Sequence, residues 1–319
     1  MEYGHVPGVA KPISRLVQGT VMLYEDRIDE NFTLLDAVFE AGGTTFDTAH
    51  GYGGGQCERV LGRWIKERKI RDDVVILTKG AHHNRDRQRV TPYDISADLH
   101  DSLARLGVDF VDLYLLHRDD PSVPVGPIVE ILNEHHRAGK IGSFGGSNWS
   151  PSRIAEANAY AAEHGLLPFV VSSPNFSMAV QVDEPWPNCL TISGPQAADD
   201  RAWYAAQKMP LFVWSSLAGG FLTGRFRRDN LAQFAGTGDA MIVRCYCTEE
   251  NFGRVDRAEA LGREKGLTLP QIALAYVLSH PNLDVFALVG CRTGDEFREN
   301  VHASQVKLSA EELSLIDGE

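Results

Sequence analysis

The chain has 319 residues and lacks any apolar run near the ~20 needed to span a membrane. Its opening stretch, MEYGHVPGVAKPISR, lacks the apolar segment of a secretory signal. Cysteine is scarce and odd in number. Cys57, Cys189, Cys245, Cys247 and Cys291 include no C-x-x-C pair, so a disulfide scaffold is not expected and a reduced, cytoplasmic protein is. Positive charge is in the minority, with 31 Lys and Arg against 43 Asp and Glu and a net charge of −12. That balance excludes nucleic acid or an anionic membrane as the main partner. It leaves room for an anionic cofactor in a local basic pocket. Metal-ligand spacing is missing too: His82-His83 has no third partner at a suitable distance along the chain, so no metal is expected.

What is present is a rhythm. Apolar residues make up 43% of the chain, enough for a large core. Strands are predicted at Ile13–Met22, Thr44–Asp47, Val74–Thr78, Phe110–Leu116, Ile141–Gly145, Phe169–Ser172, Leu211–Trp214 and Asp284–Val289. Several are continuous apolar runs, as in strands covered on both faces. Helices are predicted between them: 29–40, 57–69, 91–106, 128–138, 150–164, 195–208, 249–265, 269–278 and 295–303. Thr91-Pro92 and Ser150-Pro151 have the cap-then-proline pattern of helix starts, and Ser309 with Glu312 forms a capping box. Linkers, low-complexity tracts and charge blocks are absent. Eight strand-helix alternations in one domain, residues 1–319, argue for an α/β fold of the (β/α)8 TIM-barrel type over a doubly wound sheet. Two segments break the short-loop rhythm, Pro174–Gly194 and Ser215–Thr248. Both follow strands, and long loops on that face of a barrel are usually functional.

The strand ends deliver chemistry. Strand two ends in Asp47 with Tyr52 just beyond, strand three in Lys79 and strand four in His117. Strand five ends in Ser147-Asn148, strand six in Ser173, strand seven in Trp214, and strand eight in Gly290-Cys291-Arg292. A phenol of pKa about 10 is a poor acid or base at neutral pH. A nearby ammonium favours its ionised form, an aspartate keeps that ammonium charged, and a histidine polarises a carbonyl or relays a proton. Each of the four residues has an ordinary structural explanation: a solvated lysine, a hydrogen-bonded histidine, a loop-capping aspartate, a core tyrosine. Their joint arrival at three consecutive strand ends favours a proton-transfer site.

These motifs resemble the aldo-keto reductase family nearly end to end. The resemblance is carried by Phe46-Asp47-Thr48-Ala49 with Tyr52-Gly53, by Thr78-Lys79, by Leu113-Tyr114-Leu115-Leu116-His117, by Gly145-Gly146-Ser147-Asn148, by Trp214-Ser215-Ser216-Leu217-Ala218-Gly219-Gly220 and by Glu299-Asn300. It implies an NAD(P)(H)-dependent oxidoreductase that interconverts a carbonyl and an alcohol, with NADP(H) favoured over NAD(H). By motif, Tyr52 is the general acid, Lys79 its pKa-lowering partner, Asp47 the partner of Lys79, and His117 the carbonyl-orienting residue. Ser147 and Asn148 hydrogen-bond the carboxamide, and Trp214 stacks on the nicotinamide. Ser215, Leu217 and Gly219 lie along the pyrophosphate, and Gly19, Thr20 and Gly290 border the cofactor. Arg292, Glu299 and Asn300 hold the adenosine end. A regulatory subunit similar to the channel β-subunits of this fold is the alternative, with a metal-dependent barrel hydrolase third.

Two positions depart from the family pattern. Ser173 stands where a glutamine usually meets the carboxamide, so a water or Asn175 is left to complete the contact. Glu296 stands where relatives often place an arginine or glutamine against a 2′-phosphate; a carboxylate there suits a 2′-hydroxyl, whereas Arg292 suits a phosphate. Other features stay open. Arg225, Arg227 and Arg228 either reach the cofactor phosphates or face solvent. Glu184-Pro185-Trp186-Pro187 is either a rigid lid or sugar-stacking platform, or ordinary loop packing. His135-His136 reads as a solvated helix face. Trp149, Trp186 and the His82-His83 pair hint at an amphipathic substrate, such as a sugar or a polyketide-like ketone.

Overall fold

The structure is a computed structural model that describes all 319 residues. Eight parallel strands close into a barrel. They are β1 (Leu16–Gly19), β2 (Thr45–Asp47), β3 (Val75–Gly80), β4 (Val111–Leu116), β5 (Ile141–Ser147), β6 (Val171–Ser173), β7 (Pro210–Val213) and β8 (Asp284–Val289). Every residue of β3, β4 and β5 is buried, as strands with both faces covered require. Register places Asp47 beside Leu77, Lys79 beside Leu115 and Ser147 beside Ser173. The (β/α)8 expectation is therefore met.

Helix boundaries follow local signals. In the helix Pro92–Leu106, the Thr91 side chain accepts from the Asp94 N–H, and Gly107 ends it at φ 66°. The Ser309–Glu312 capping box opens the helix Ala310–Asp317. Three elements differ from the sequence reading. Ile13–Ser14 leaves the barrel and pairs antiparallel with Tyr3–Gly4. The helix after β4 begins at Val125, not Ile128. Pro127 falls within its first turn, where a missing N–H costs no helical bond. The long loop after β7 contains a short helix, Ala240–Tyr246. No helix is long and apolar enough to cross a membrane.

The chain divides into two compact units, Met1–Ser173 with Leu288–Arg298, and Pro174–Ala287 with Glu299–Glu319. In the first, Trp64 packs edge-on against Phe46 at 5.1 Å, and its Nε1 donates to Asp36 at 2.8 Å. In the second, Phe212 and Phe286 stack at 4.8 Å. There the buried Asn251 side chain accepts from the Val180 N–H and donates to its carbonyl, both at 2.8 Å, tying the loop after β6 to the helix Glu249–Lys265.

Candidate active site

Asp47 ends β2, but the chain stays bonded to its neighbour past that point. Thr48 N–H donates to the Leu77 carbonyl and His50 N–H to the Lys79 carbonyl, each at 2.8 Å. His117 N–H donates to the Gly80 carbonyl at 2.7 Å. Tyr52 opens a single turn, Tyr52–Gly55, in which Gly53, Gly54 and Gly55 take φ of 55°, 62° and 91°. A side chain is strained there, and a Cβ on Gly55 would lie 2.7 Å from the Arg105 side chain. The glycines thus turn the chain at the point where the phenol must face Lys79.

Three adjacent strand ends deliver four groups to one place. The buried Lys79 ammonium donates to Asp47 Oδ1, to the Thr48 carbonyl at 3.4 Å and to the Tyr52 hydroxyl at 3.5 Å. The Tyr52 and His117 rings meet edge-on at 5.6 Å. Burial works against the Lys79 charge, but Asp47 and Tyr52 outweigh it and raise the ammonium above its ordinary value. Burial also raises Asp47, and the ammonium only partly reverses this. Tyr52 is raised by burial; Lys79 pulls it down while Asp47 pushes it up. His117 falls well below the usual histidine value, through burial first and then the positive charges of Lys79 and Arg118. At neutral pH the cluster holds a charged lysine, a protonated phenol and an uncharged imidazole. The expected lowering of Tyr52 is present as the Lys79 contribution alone, and burial exceeds it.

Next along the sheet, Ser147 Oγ donates to the Ser173 carbonyl at 3.0 Å and accepts from Asn148 Nδ2 at 3.1 Å. Asn148 takes φ of 59°. Ser173 Oγ, Thr20 Oγ1 and His117 Nδ1 are buried without a hydrogen-bond partner. Leaving such groups unpaired is unfavourable, and of the three the Ser173 hydroxyl, at the strand end beside Ser147, is available to an amide. The residues present therefore fit a nicotinamide carboxamide. Gly290 lies near Met22, and Gly19 pairs with Asp47. The Glu296 carboxylate accepts from the Arg292 N–H at 2.7 Å, and the Glu296 N–H donates to Thr293 Oγ1 at 3.2 Å. Its carboxylate thus has a local role in shaping the start of the helix Gly294–Ser304. Arg292 is exposed.

In the second unit, Trp214 N–H donates to the Pro174 carbonyl at 3.1 Å, and its Nε1 is buried without a partner. Trp186 stacks on it, with ring centroids 5.5 Å apart and planes at 24°. Ser215 and Ala218 take φ of 55° and 51°, and Gly219 and Gly220 take 63° and 101°. The Ala218 N–H closes onto the Ser215 carbonyl at 2.7 Å, and the Gly220 N–H onto that of Leu217 at 3.0 Å. Arg225 is ion-paired with Asp239, and Arg228 with Glu249 and Asp256. Glu299 and Asn300 lie on the helix Gly294–Ser304, with Glu299 exposed. No group of three or more His, Cys, Asp or Glu side chains is arranged to hold a metal ion.

Some expectations are corrected. Asn175 does not stand in for a missing glutamine: its amide donates to the Trp214 carbonyl at 3.2 Å and accepts from Thr191 at 2.7 Å. Trp149 is fully buried and donates to the Arg118 carbonyl at 3.1 Å, so it offers no substrate platform. His135 is buried against Ser96 Oγ at 2.9 Å, not solvated. Sequence reasoning also missed Arg118, whose Nη1 donates to the His117 carbonyl at 2.9 Å. Its adjacency to His117 was the available signal. The Arg89–Asp98 pair, which holds the loop after β3, left no signal, because it depends on how two elements pack.

An acid, an amine, a phenol and an imidazole thus meet on neighbouring strand ends of a closed (β/α)8 barrel. The model of the Aldo/keto reductase family matches residues 15–318. Norsolorinic acid reductase B from Aspergillus parasiticus is 30% identical over 300 residues, covering 90% of this chain and 73% of that one. A probable voltage-gated potassium channel subunit beta from Oryza sativa is 27% identical, covering 96% and 92%. A crystal structure of a thermostable aldo-keto reductase in complex with the inhibitor epalrestat superposes with a TM-score of 0.75 at 24% identity, over 100% of this chain and 99% of that one. The chain belongs to the aldo/keto reductase family and is an NAD(P)H-dependent reductase, in a family that acts on small carbonyl compounds.

Proposed function

We propose that this protein reduces an aldehyde or ketone to the alcohol with Tyr52 as general acid and NADP(H) as the favoured cofactor. The observation that carries the reading is the Lys79 ammonium, bonded to Asp47 and 3.5 Å from the Tyr52 hydroxyl. When bound, the nicotinamide supplies the hydride. Tyr52 donates its proton to the carbonyl oxygen as that oxygen becomes an alkoxide, and Lys79 stabilises the phenolate that remains. Asp47 keeps Lys79 charged and oriented. His117, held neutral, hydrogen-bonds the carbonyl oxygen and fixes its orientation. In the reverse direction the same phenolate takes the alcohol proton.

Ser147, Asn148 and Ser173 hold the carboxamide, which the unpaired Ser173 hydroxyl supports. Trp214 stacks on the nicotinamide; Ser215, Leu217, Gly219 and Arg225 follow the pyrophosphate. Gly19, Thr20 and Gly290 border the cofactor, and Arg292, Glu296, Glu299 and Asn300 serve the adenosine end. NADP(H) is preferred because Arg292 is exposed while the Glu296 carboxylate is bonded to backbone. A cytoplasmic location belongs to the same proposal.

The test is a panel of carbonyl substrates read by cofactor absorbance, run with NADPH and with NADH, for the wild type and Tyr52→Phe. Turnover that is lost in Tyr52→Phe, with cofactor binding retained, is expected. Near-normal turnover in that variant would remove Tyr52 from the mechanism. The channel-subunit relative supports a second reading, a regulatory subunit that binds the cofactor. Tight, slowly exchanging cofactor with negligible turnover on every carbonyl would favour it.

A further inference from the structure

Three imidazoles stand in contact beside Tyr52. His117 meets Tyr52 at 5.6 Å, His82 meets His117 edge-on at 4.8 Å, and His83 lies against His82 at 4.3 Å. Only His117 has a part in the chemistry above.

The loop that carries His82 is held tightly. A Cβ on Gly80 would come 2.0 Å from the Tyr114 hydroxyl, so only glycine lets the chain pass there. Ala81 takes φ of 60°, and its N–H donates to the buried Asp98 carboxylate at 2.8 Å. Arg89 grips the same carboxylate and also donates to the His82 carbonyl at 3.4 Å. A non-glycine residue at positive φ is costly and persists only where its surroundings enforce it. Here a buried ion pair does so, and the result is a His82 ring fixed against His117.

The hydrogen bonding of that ring defines its free face. Nδ1 lies 2.8 Å from the His83 carbonyl oxygen. A carbonyl only accepts, so Nδ1 carries the proton. Burial holds the ring below the usual histidine value, and it is uncharged at neutral pH. Nε2 therefore presents a lone pair, with no protein donor bonded to it, on a side chain that is only half-buried.

We propose that His82 is a specificity-determining residue whose Nε2 accepts a hydrogen bond from a substrate hydroxyl close to the reacting carbonyl. The preferred substrates are then hydroxylated aldehydes or ketones. This rests on the reading that the carbonyl binds at Tyr52 and His117. An acceptor beside that point rewards an O–H donor and leaves a non-hydroxylated analogue without its bond.

The test compares two matched pairs, glyceraldehyde with propanal and 2-hydroxybenzaldehyde with benzaldehyde, in the wild type, His82→Phe and His82→Gln. The quantity read is the ratio of kcat/KM within each pair, because intrinsic reactivity cancels when that ratio is compared between proteins. The aliphatic pair and the aromatic pair separate a sugar-like from a phenolic hydroxyl. His82→Phe keeps an aromatic ring but no acceptor, and should reduce the ratio about tenfold in one pair, mainly through KM of the hydroxylated member. His82→Gln, which retains an acceptor, should recover part of it. Equal loss on both members of each pair, or ratios unchanged from wild type, overturns the assignment and leaves the reductase reading intact. A wild type without turnover on any carbonyl with either cofactor overturns both.

Discussion

The Lys79 ammonium lies 3.5 Å from the Tyr52 hydroxyl, yet the phenol is harder to ionise than a free tyrosine. Burial is the main reason, and the ion pair behind the phenol keeps Lys79 from offsetting it. Lys79 is bonded to Asp47, so the field reaching the phenol is that of a paired charge, and burial wins. The site therefore starts a reduction with its proton in place. The reductive kcat should stay flat from about pH 6 to pH 9 and fall only above the ordinary phenol value of about 10. The oxidative direction needs phenolate and should rise with pH over the same interval. Rate profiles measured in both directions check this. A reductive rate already falling near pH 7 would contradict a raised phenol.

How much of this was legible in the sequence depends on distance along the chain. β3 and β4 were visible as apolar runs, and the start of the helix Pro92–Leu106 was visible from Thr91 and Pro92, because caps and periodicity act over a few residues. Asp47, Lys79 and His117 were visible because a barrel places successive strand ends side by side. The net direction of the Tyr52 shift was not, since it depends on burial set by the whole fold. The Trp186–Trp214 stack and the engagement of Asn175 by Trp214 and Thr191 were hidden for the same reason. Each joins residues whose separation in sequence says nothing about their separation in space.

Removing one member of the Asp47–Lys79 pair should cost more than removing both. Asp47→Asn leaves a buried ammonium without its counter-charge, a loss of about 3–5 kcal/mol. Replacing Lys79 as well, in Asp47→Asn with Lys79→Met, should recover a large share of that stability while leaving turnover abolished. Urea unfolding of the two single variants and the double variant gives the coupling directly. Additive losses would mean that the two charges do not depend on one another.

Histidines that burial holds uncharged set an acid limit on stability. His82, His117, His135 and His280 all lie below the ordinary histidine value, with burial the largest cause in each. Folded values below the unfolded one mean that the unfolded chain takes up protons first. Stability is then complete above the unfolded value of about 6.5 and is lost as pH falls toward the folded values. Unfolding midpoints should decline from about pH 6.5 downward. His135→Gln lies away from Tyr52, and an amide can still meet Ser96, so this variant should show a shallower decline with unchanged turnover at pH 7. An identical slope in that variant would exclude His135 as a contributor.

Arginine substitutions separate the two ends of the cofactor. Arg292 is exposed and stands next to the Glu296 cap, whereas Arg225 is held by Asp239 and lies 5.3 Å over the Phe226 ring. If Arg292 meets a 2′-phosphate, Arg292→Ala should raise KM for NADPH about tenfold or more, the loss of a charge-assisted bond, and leave KM for NADH unchanged. Arg225 is assigned to the pyrophosphate, which both cofactors share, so Arg225→Ala should raise both KM values by similar factors. Arg228 serves as the control: it is exposed and bound to Glu249 and Asp256, and such surface pairs contribute only about 0–1 kcal/mol, so Arg228→Ala should change neither. Equal responses of the two cofactors to Arg292→Ala would take that residue off the 2′-phosphate and remove the main support for an NADP(H) preference.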